Sequence, residues 1–275
     1  MLIELSNGCI SAHTRGSGKP LLVLHGGGLD HRHMVDAIEP VFQENSGWER
    51  FYIDLPGHGD SKVDASLQSQ DEVLDMISRF ADVAFNGDRF AVIGESRGSY
   101  HAMGLAHTRP DDLLGMMLIV ADAMSASTAD WRPKHQTLVS APDEILNNLS
   151  PSAAGRFARL VVQNADILQK IQNTKIPAAE RVDEDFAARL KKNFDFSLDL
   201  SRPSSAFDKP SLIVNGRQDA MAGYHDMIEG FQRYPRATFA VLDCAGHSLA
   251  WERPELFRVL AQDWLQRMDE SLSSE

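Results

Sequence analysis

The pentapeptide Gly94-Glu95-Ser96-Arg97-Gly98 narrows the choice of fold more than any other stretch of this chain. It follows the apolar run Phe90-Ala91-Val92-Ile93 and precedes a helix-like stretch over residues 99–107. A strand, a sharp turn and a helix are therefore expected in succession. A turn that tight holds its serine in a strained backbone conformation and lifts the hydroxyl clear of the sheet. Glycine is needed at both flanks, because a Cβ there meets the strand or the helix. The turn also ends at a helix N-terminus, where backbone N–H groups favour developing negative charge. Ser96 is thus predicted to be a nucleophile.

The surrounding chain fits that reading. Short, continuous apolar runs at residues 9–14, 21–24, 51–53, 90–93, 113–120, 211–214 and 238–242 predict strands buried on both faces. Helical periodicity separates several of them. Residues 69–85 set Val73, Ile77, Phe80 and Ala84 on one face, and residues 254–268 do the same with Phe257, Leu260, Ala261, Trp264 and Leu265. Alternating strand and helix predicts an α/β fold, a mostly parallel sheet with helices on both faces. The alternation breaks between residue 123 and about 208. There the sequence predicts two amphipathic helices, over 152–174 and 178–194, punctuated by Pro133, Pro142, Pro151, Pro177 and Pro203. The expected organisation is a core formed by residues 1–122 and 209–275 and a helical lid inserted as residues 123–208.

A serine nucleophile needs a base, an orienting carboxylate and an oxyanion site. His247 in Ala245-Gly246-His247-Ser248 lies between the last apolar run and the last helix and is the candidate base. Asp219, in the loop after the run 211–214, is the candidate acid, and the order Ser, Asp, His is that of the strand–turn–helix hydrolases. Asp122 and Asp243 are its rivals. The run His25-Gly26-Gly27-Gly28 after the strand 21–24 lets a backbone N–H approach substrate, so Gly27 and Arg97 are the candidate oxyanion donors. The same glycines do not match a nucleotide loop, since Gly26, Gly28 and His31 do not make G-x-G-x-x-G. His31 and His33, with Asp30 beside them, could suggest a metal site but are read as hydrated loop histidines near the cleft.

Charge decides against several partners. With 39 acidic and 27 basic side chains the chain carries a formal charge of -12, which disfavours nucleic acid and anionic membrane surfaces. The longest apolar stretch, residues 113–121, is far short of the ~20 residues a membrane helix requires. Two cysteines, Cys9 and Cys244, make neither a disulfide framework nor a four-cysteine zinc site and suit a cytoplasmic protein.

Four motifs spread along the whole length resemble the α/β-hydrolase superfamily. They are His25-Gly26-Gly27-Gly28, Asp54-Leu55-Pro56-Gly57-His58-Gly59-Asp60-Ser61, the turn at Ser96, and Gly246-His247 with Glu252-Arg253-Pro254. The resemblance implies an eight-stranded, mostly parallel sheet with a helical cap after the sixth strand. It implies that His58 serves structure rather than chemistry. The group it resembles is that of capped serine hydrolases: carboxylesterases, haloperoxidase-like esterases, proline iminopeptidases and carbon–carbon bond hydrolases. Serine rather than aspartate at the turn departs from epoxide hydrolases and haloalkane dehalogenases. Gly28 and Arg97 depart from the proline iminopeptidase pattern. The expected activity is hydrolysis of small to medium carboxylic esters with no metal or organic cofactor, by a monomer or homodimer. Hydrolysis of C–C or amide bonds, a ligand receptor, a lyase and a perhydrolase remain open on the same residues.

Overall fold

All seven apolar runs are strands of one sheet in this computed structural model, which describes residues 1–43, 46–121, 131–200 and 206–273. The strands are β1 (Leu2–Leu5), β2 (Gly8–Gly16), β3 (Lys19–Leu24), β4 (Trp48–Ile53), β5 (Lys62–Val63), β6 (Phe90–Glu95), β7 (Leu113–Ile119), β8 (Ser211–Gly216) and β9 (Ala237–Leu242). Their order is β1-β2-β4-β3-β6-β7-β8-β9, with β5 paired to β2 off this path. Strand β2 is antiparallel to β1, β4 and β5, and every other pairing is parallel. Nine strands replace the eight that the resemblance implied. Eight cross the sheet, and the extra one is the two-residue β5, too short to leave an apolar run in the sequence.

The absence of polar alternation in the strands has a direct packing consequence. Leu22 and Leu24 of β3 face a core with Ile77 and Phe80 of the helix Gln70–Phe85 and with Ala102 and Leu105 of the helix Arg97–Thr108. Leu21 and Val23 face the other core, with Met34 and Ile38 of the helix His31–Ile38 and Phe257, Ala261 and Trp264 of the helix Pro254–Leu272. Strands β6, β7 and β8 alternate between the two cores in the same way. The helix Gln70–Phe85 starts where the sequence marks it: the Ser69 hydroxyl accepts from the Glu72 N–H, and the Glu72 carboxylate accepts the Ser69 backbone N–H.

The described helices of the long segment fall between β7 and β8 and are shorter than their periodicity suggests. In place of one helix over 152–174 there are Pro151–Phe157 and Ala165–Lys170, the second continuing through a π-helical turn, Ile171–Lys175, into Ile176–Ala179. The break has a local cause. Asn164 accepts from the Ile167 N–H and so opens a new helix, while Val162 pairs with Val139 in an isolated bridge. In place of a helix over 178–194 the chain leaves the helix Ile176–Ala179 and forms a separate short helix, Glu184–Leu190, capped by Asp183 through the Phe186 N–H. Pro203 and Asp122 lie outside the described residues.

Strand order reverses at β3, whose neighbours are β4 and β6. A crevice opens at such a switch point beyond the carboxyl ends of the strands. The loop after β3 carries Gly26 to Gly28, and the turn after β6 carries Ser96. Both cysteines are free. Among the described residues no helix is long and apolar enough to cross a membrane.

Candidate active site

Ser96 sits between β6 and the helix Arg97–Thr108 at φ 51° and ψ -113°. A non-glycine residue at positive φ is strained and persists only where its surroundings over-determine it. Here the Ser96 N–H is fixed on the Ile119 carbonyl at 2.9 Å. The flanking glycines are required by contact. A Cβ on Gly94 would stand 2.3 Å from the Gly98 carbonyl oxygen, and one on Gly98 would stand 2.3 Å from the Leu24 carbonyl oxygen. Those atoms belong to a buried strand and a helix start, so they have nowhere to move. A Gly98→Ala variant is expected to lose about 3 kcal/mol of stability, the upper part of the usual range for overpacking. Urea unfolding followed by circular dichroism measures it, and a loss below about 0.5 kcal/mol would contradict the packing argument.

The structure brings the three predicted residues together. His247 Nε2 is 3.1 Å from Ser96 Oγ, and His247 Nδ1 is 2.8 Å from Asp219 Oδ2. Asp219 follows β8 and is fully buried. Its other oxygen accepts the Met221 and Ala222 N–H groups at 2.8 and 3.1 Å. With Nδ1–H donating to that carboxylate, Nε2 is left to accept the serine proton. Burial works against the imidazolium, but the Asp219 carboxylate beside the ring outweighs it, and Glu95 adds to the effect, so the His247 pKa is raised above its ordinary 6.5. Asp243, one rival acid, accepts from Gln218 Nε2 at 2.7 Å and holds its own loop. Asp122, the other, lies outside the described residues.

The loop after β3 abuts the serine turn: a Cβ on Gly27 would lie 3.8 Å from the Arg97 Cβ. Two histidines shape that loop, His25 buried and His58 half-buried. His25 Nδ1 donates to the Gly26 carbonyl at 2.7 Å while Nε2 accepts the Leu55 N–H at 2.9 Å. Burial pulls its pKa down to about 3, so it stays neutral. His58 accepts the Gly28 N–H at 3.2 Å and donates to the Pro56 carbonyl at 3.0 Å. The motif 54–61 thereby braces the glycine loop, and His58 touches backbone.

His33 corrects an expectation. It is on the helix His31–Ile38, 2% exposed, not in a hydrated loop, and its Nε2 lies 2.7 Å from Glu95 Oε2. Burial disfavours the Glu95 carboxylate, yet His33 and Lys175 hold its pKa down to about 2. Asp30, His31 and Asp54 bring potential metal-ligating atoms within 4.8 Å of one another. Those carboxylates are already committed: Asp30 caps the helix through the Arg32 N–H, and Asp54 accepts the His31 and Asp60 N–H groups.

Glu252 is a residue beside the site to which sequence reasoning gave no role, although the motif 252–254 contains it. Its buried carboxylate accepts the Gly246 N–H at 2.6 Å and the Val161 N–H at 2.6 Å. It therefore ties the loop before His247 to the segment between β7 and β8.

Ser96, His247, Gly27 and Arg97 open onto a cavity of about 720 Å³ whose lining also includes Arg156, Ile171, Lys175 and Phe194. The Arg97 guanidinium stacks over the Phe194 ring at 3.8 Å. Beyond that stack lies a mostly apolar cavity of about 290 Å³ lined by Leu55, Val73, His101, Phe186 and Leu190. A serine hydroxyl hydrogen-bonded to a carboxylate-oriented imidazole, at the edge of a partly enclosed cavity, can attack an electrophilic carbonyl.

A family model described as the alpha/beta hydrolase fold matches residues 19–254. The chain is 25% identical over 258 residues to the pimeloyl-(acyl-carrier protein) methyl ester esterase of Nitrosomonas europaea, covering 90% of this chain and 96% of that one. Among solved structures, an alpha/beta superfamily hydrolase from Oenococcus oeni PSU-1 superposes with a TM-score of 0.84 at 24% identity, over 98% of this chain and 99% of that one. A thermophilic esterase from Thermogutta terrifontis does so with a TM-score of 0.68 at 19% identity, over 98% and 99%.

Proposed function

The chain belongs to the alpha/beta hydrolase family, and on that premise we propose that it is a serine esterase that cleaves carboxylic esters of small to medium size through an acyl-enzyme. The observation that carries this reading is the run of hydrogen bonds from Ser96 Oγ through His247 to the buried Asp219. A curated relative that is an esterase over nearly its whole length supports the ester bond as the target.

In the proposed reaction Ser96 attacks the ester carbonyl as His247 Nε2 takes its proton. Asp219 fixes the imidazole tautomer and stabilises the imidazolium. The Gly27 and Arg97 N–H groups receive the oxyanion. His247 then returns the proton to the leaving alcohol, and water resolves the acyl-enzyme along the reverse path. Residues 123–208 act as a cap: the wall that Arg156, Ile171 and Lys175 contribute partly encloses the site, which favours reaction in a dry pocket. The adjoining apolar cavity offers room for an acyl chain of medium length.

Two measurements test the reading. Intact mass after treatment with a fluorophosphonate should show a single adduct, mapping to Ser96; a folded protein that takes no adduct, or takes it elsewhere, overturns the proposal. The base must be neutral to accept the serine proton. Because His247 is raised above 6.5, kcat/KM for a neutral ester should climb with pH and reach half its plateau above pH 6.5. A midpoint below that value would mean that another group titrates.

A further inference from the structure

Lys175 is the least expected side chain in the cavity that holds Ser96. It ends the π-helical turn Ile171–Lys175, a rare widening of a helix that recurs at functional sites because it re-aims side chains. Its ammonium donates to Ser248 Oγ at 3.0 Å, next to His247, and lies 4.6 Å from the centre of the Trp251 ring. An ammonium carries three donors. Among the described residues Ser248 is its only hydrogen-bond partner, and no carboxylate comes within ion-pair distance. Glu95 and Glu252 act on it only from further off, and both already serve as acceptors, Glu95 for His33 and Glu252 for backbone N–H groups.

Besides Arg97, whose guanidinium stacks on Phe194, two more cations line the same cavity. Arg156 and Arg159, three residues apart at the end of the helix Pro151–Phe157, share one side of the chain there, and neither guanidinium meets a carboxylate among the described residues. Glu95 is the only carboxylate in the lining among the described residues. Three cations without ion-pair partners converging on one cavity run against a chain whose formal charge is -12. A cavity whose lining carries a surplus of one sign of charge concentrates ligands of the other sign.

We propose that the cavity selects esters carrying a second, ionised carboxylate, received by Lys175 with Arg156 and Arg159 toward the mouth. This rests on the esterase reading and names the substrate class of the same site. Burial lowers the Lys175 pKa, and the attraction of Glu95 and Glu252 offsets only part of that effect. An incoming carboxylate adds to that offset.

Single-ester probes of matched length test the inference. Monomethyl glutarate against methyl pentanoate places the carboxylate on the acyl side; carboxymethyl acetate against propyl acetate places it on the alcohol side. In at least one pair the charged member should have the higher kcat/KM, by about 10- to 100-fold, the worth of one charge-assisted hydrogen bond. Which pair responds assigns the side of the scissile bond that faces Lys175. In Lys175→Met the charged-to-neutral ratio should fall at least about tenfold. In Arg156→Gln/Arg159→Gln it should fall less, by a part that 1 M salt abolishes in the wild type. Should Lys175→Met fail to fold, the wild type still decides: glutarate should inhibit methyl pentanoate hydrolysis competitively, and 1,5-pentanediol should not. Turnover of the neutral esters with no preference in either pair overturns the carboxylate site and leaves the esterase reading standing. Absence of turnover with all four overturns both.

Discussion

Ser96→Ala is expected to lower kcat/KM for carboxylic esters by about 10⁵- to 10⁶-fold and to abolish the fluorophosphonate adduct. The substitution removes one oxygen whose hydrogen-bond partner is His247 Nε2 at 3.1 Å. It leaves Gly94 and Gly98, the contacts that force the turn, and the backbone hydrogen bond from residue 96 to Ile119. The variant should therefore fold, and circular dichroism with a urea titration checks that it does. The rate that survives should come from the oxyanion site and substrate binding alone, which commonly contribute 10³- to 10⁴-fold over water. A pure variant that keeps a near wild-type rate would show that Ser96 is not the nucleophile, whatever its geometry.

What the sequence made legible, and what it hid, divides along a physical line. Ser96, Asp219 and His247 each sit just past a strand, and each strand is a short apolar run with a glycine within four residues of its end. Steric exclusion around Gly94 and Gly98 is a short-range matter, so five consecutive residues suffice to announce it. The sheet was legible for a related reason: strands buried on both faces carry no polar alternation and stand out as runs.

The segment between β7 and β8 is less legible. Its apolar residues Phe157, Leu160, Val161, Ile167 and Ile171 are all buried, as helical periodicity suggests. Yet Val161 has its N–H on Glu252, 91 residues away, and Val162 pairs with Val139. Both contacts are long-range, and they break the helix that local periodicity favours. The π-helical turn that aims Lys175 likewise leaves no mark in the spacing of apolar residues. His33 departs from its expected place in a loop for the same reason. Its partner Glu95 lies 62 positions on, and only the meeting of the helix His31–Ile38 with β6 turns an apparent loop histidine into a buried donor.

The second large effect belongs to Asp219. In Asp219→Asn the amide oxygen should take the place of Oδ1, because the Met221 and Ala222 N–H groups need an acceptor. The amide NH₂ then faces His247 Nδ1, where Oδ2 stood at 2.8 Å. An NH₂ group only donates, so Nδ1 must accept and the ring proton moves to Nε2. Nε2–H now points at Ser96 Oγ and cannot take its proton. The expected loss in kcat is about 10⁴-fold, with KM much less affected, since Asp219 is fully buried behind the histidine.

Two further readouts separate this mechanism from simple damage. The fluorophosphonate adduct on Ser96 should still form, but slowly. The acid limb of the remaining activity should shift to lower pH, because the carboxylate that raises the His247 pKa is gone. Linkage gives a matching sign for stability. A histidine raised in the folded state stabilises the fold below its unfolded pKa, and that contribution is lost as pH rises through the folded value. Wild type should therefore exceed Asp219→Asn in stability by more at pH 5.5 than at pH 8.5. Retention of kcat within about tenfold of wild type would move the acid to Asp122 or Asp243, and the hydrogen bond from His247 to Asp219 would then be a packing contact rather than part of the reaction.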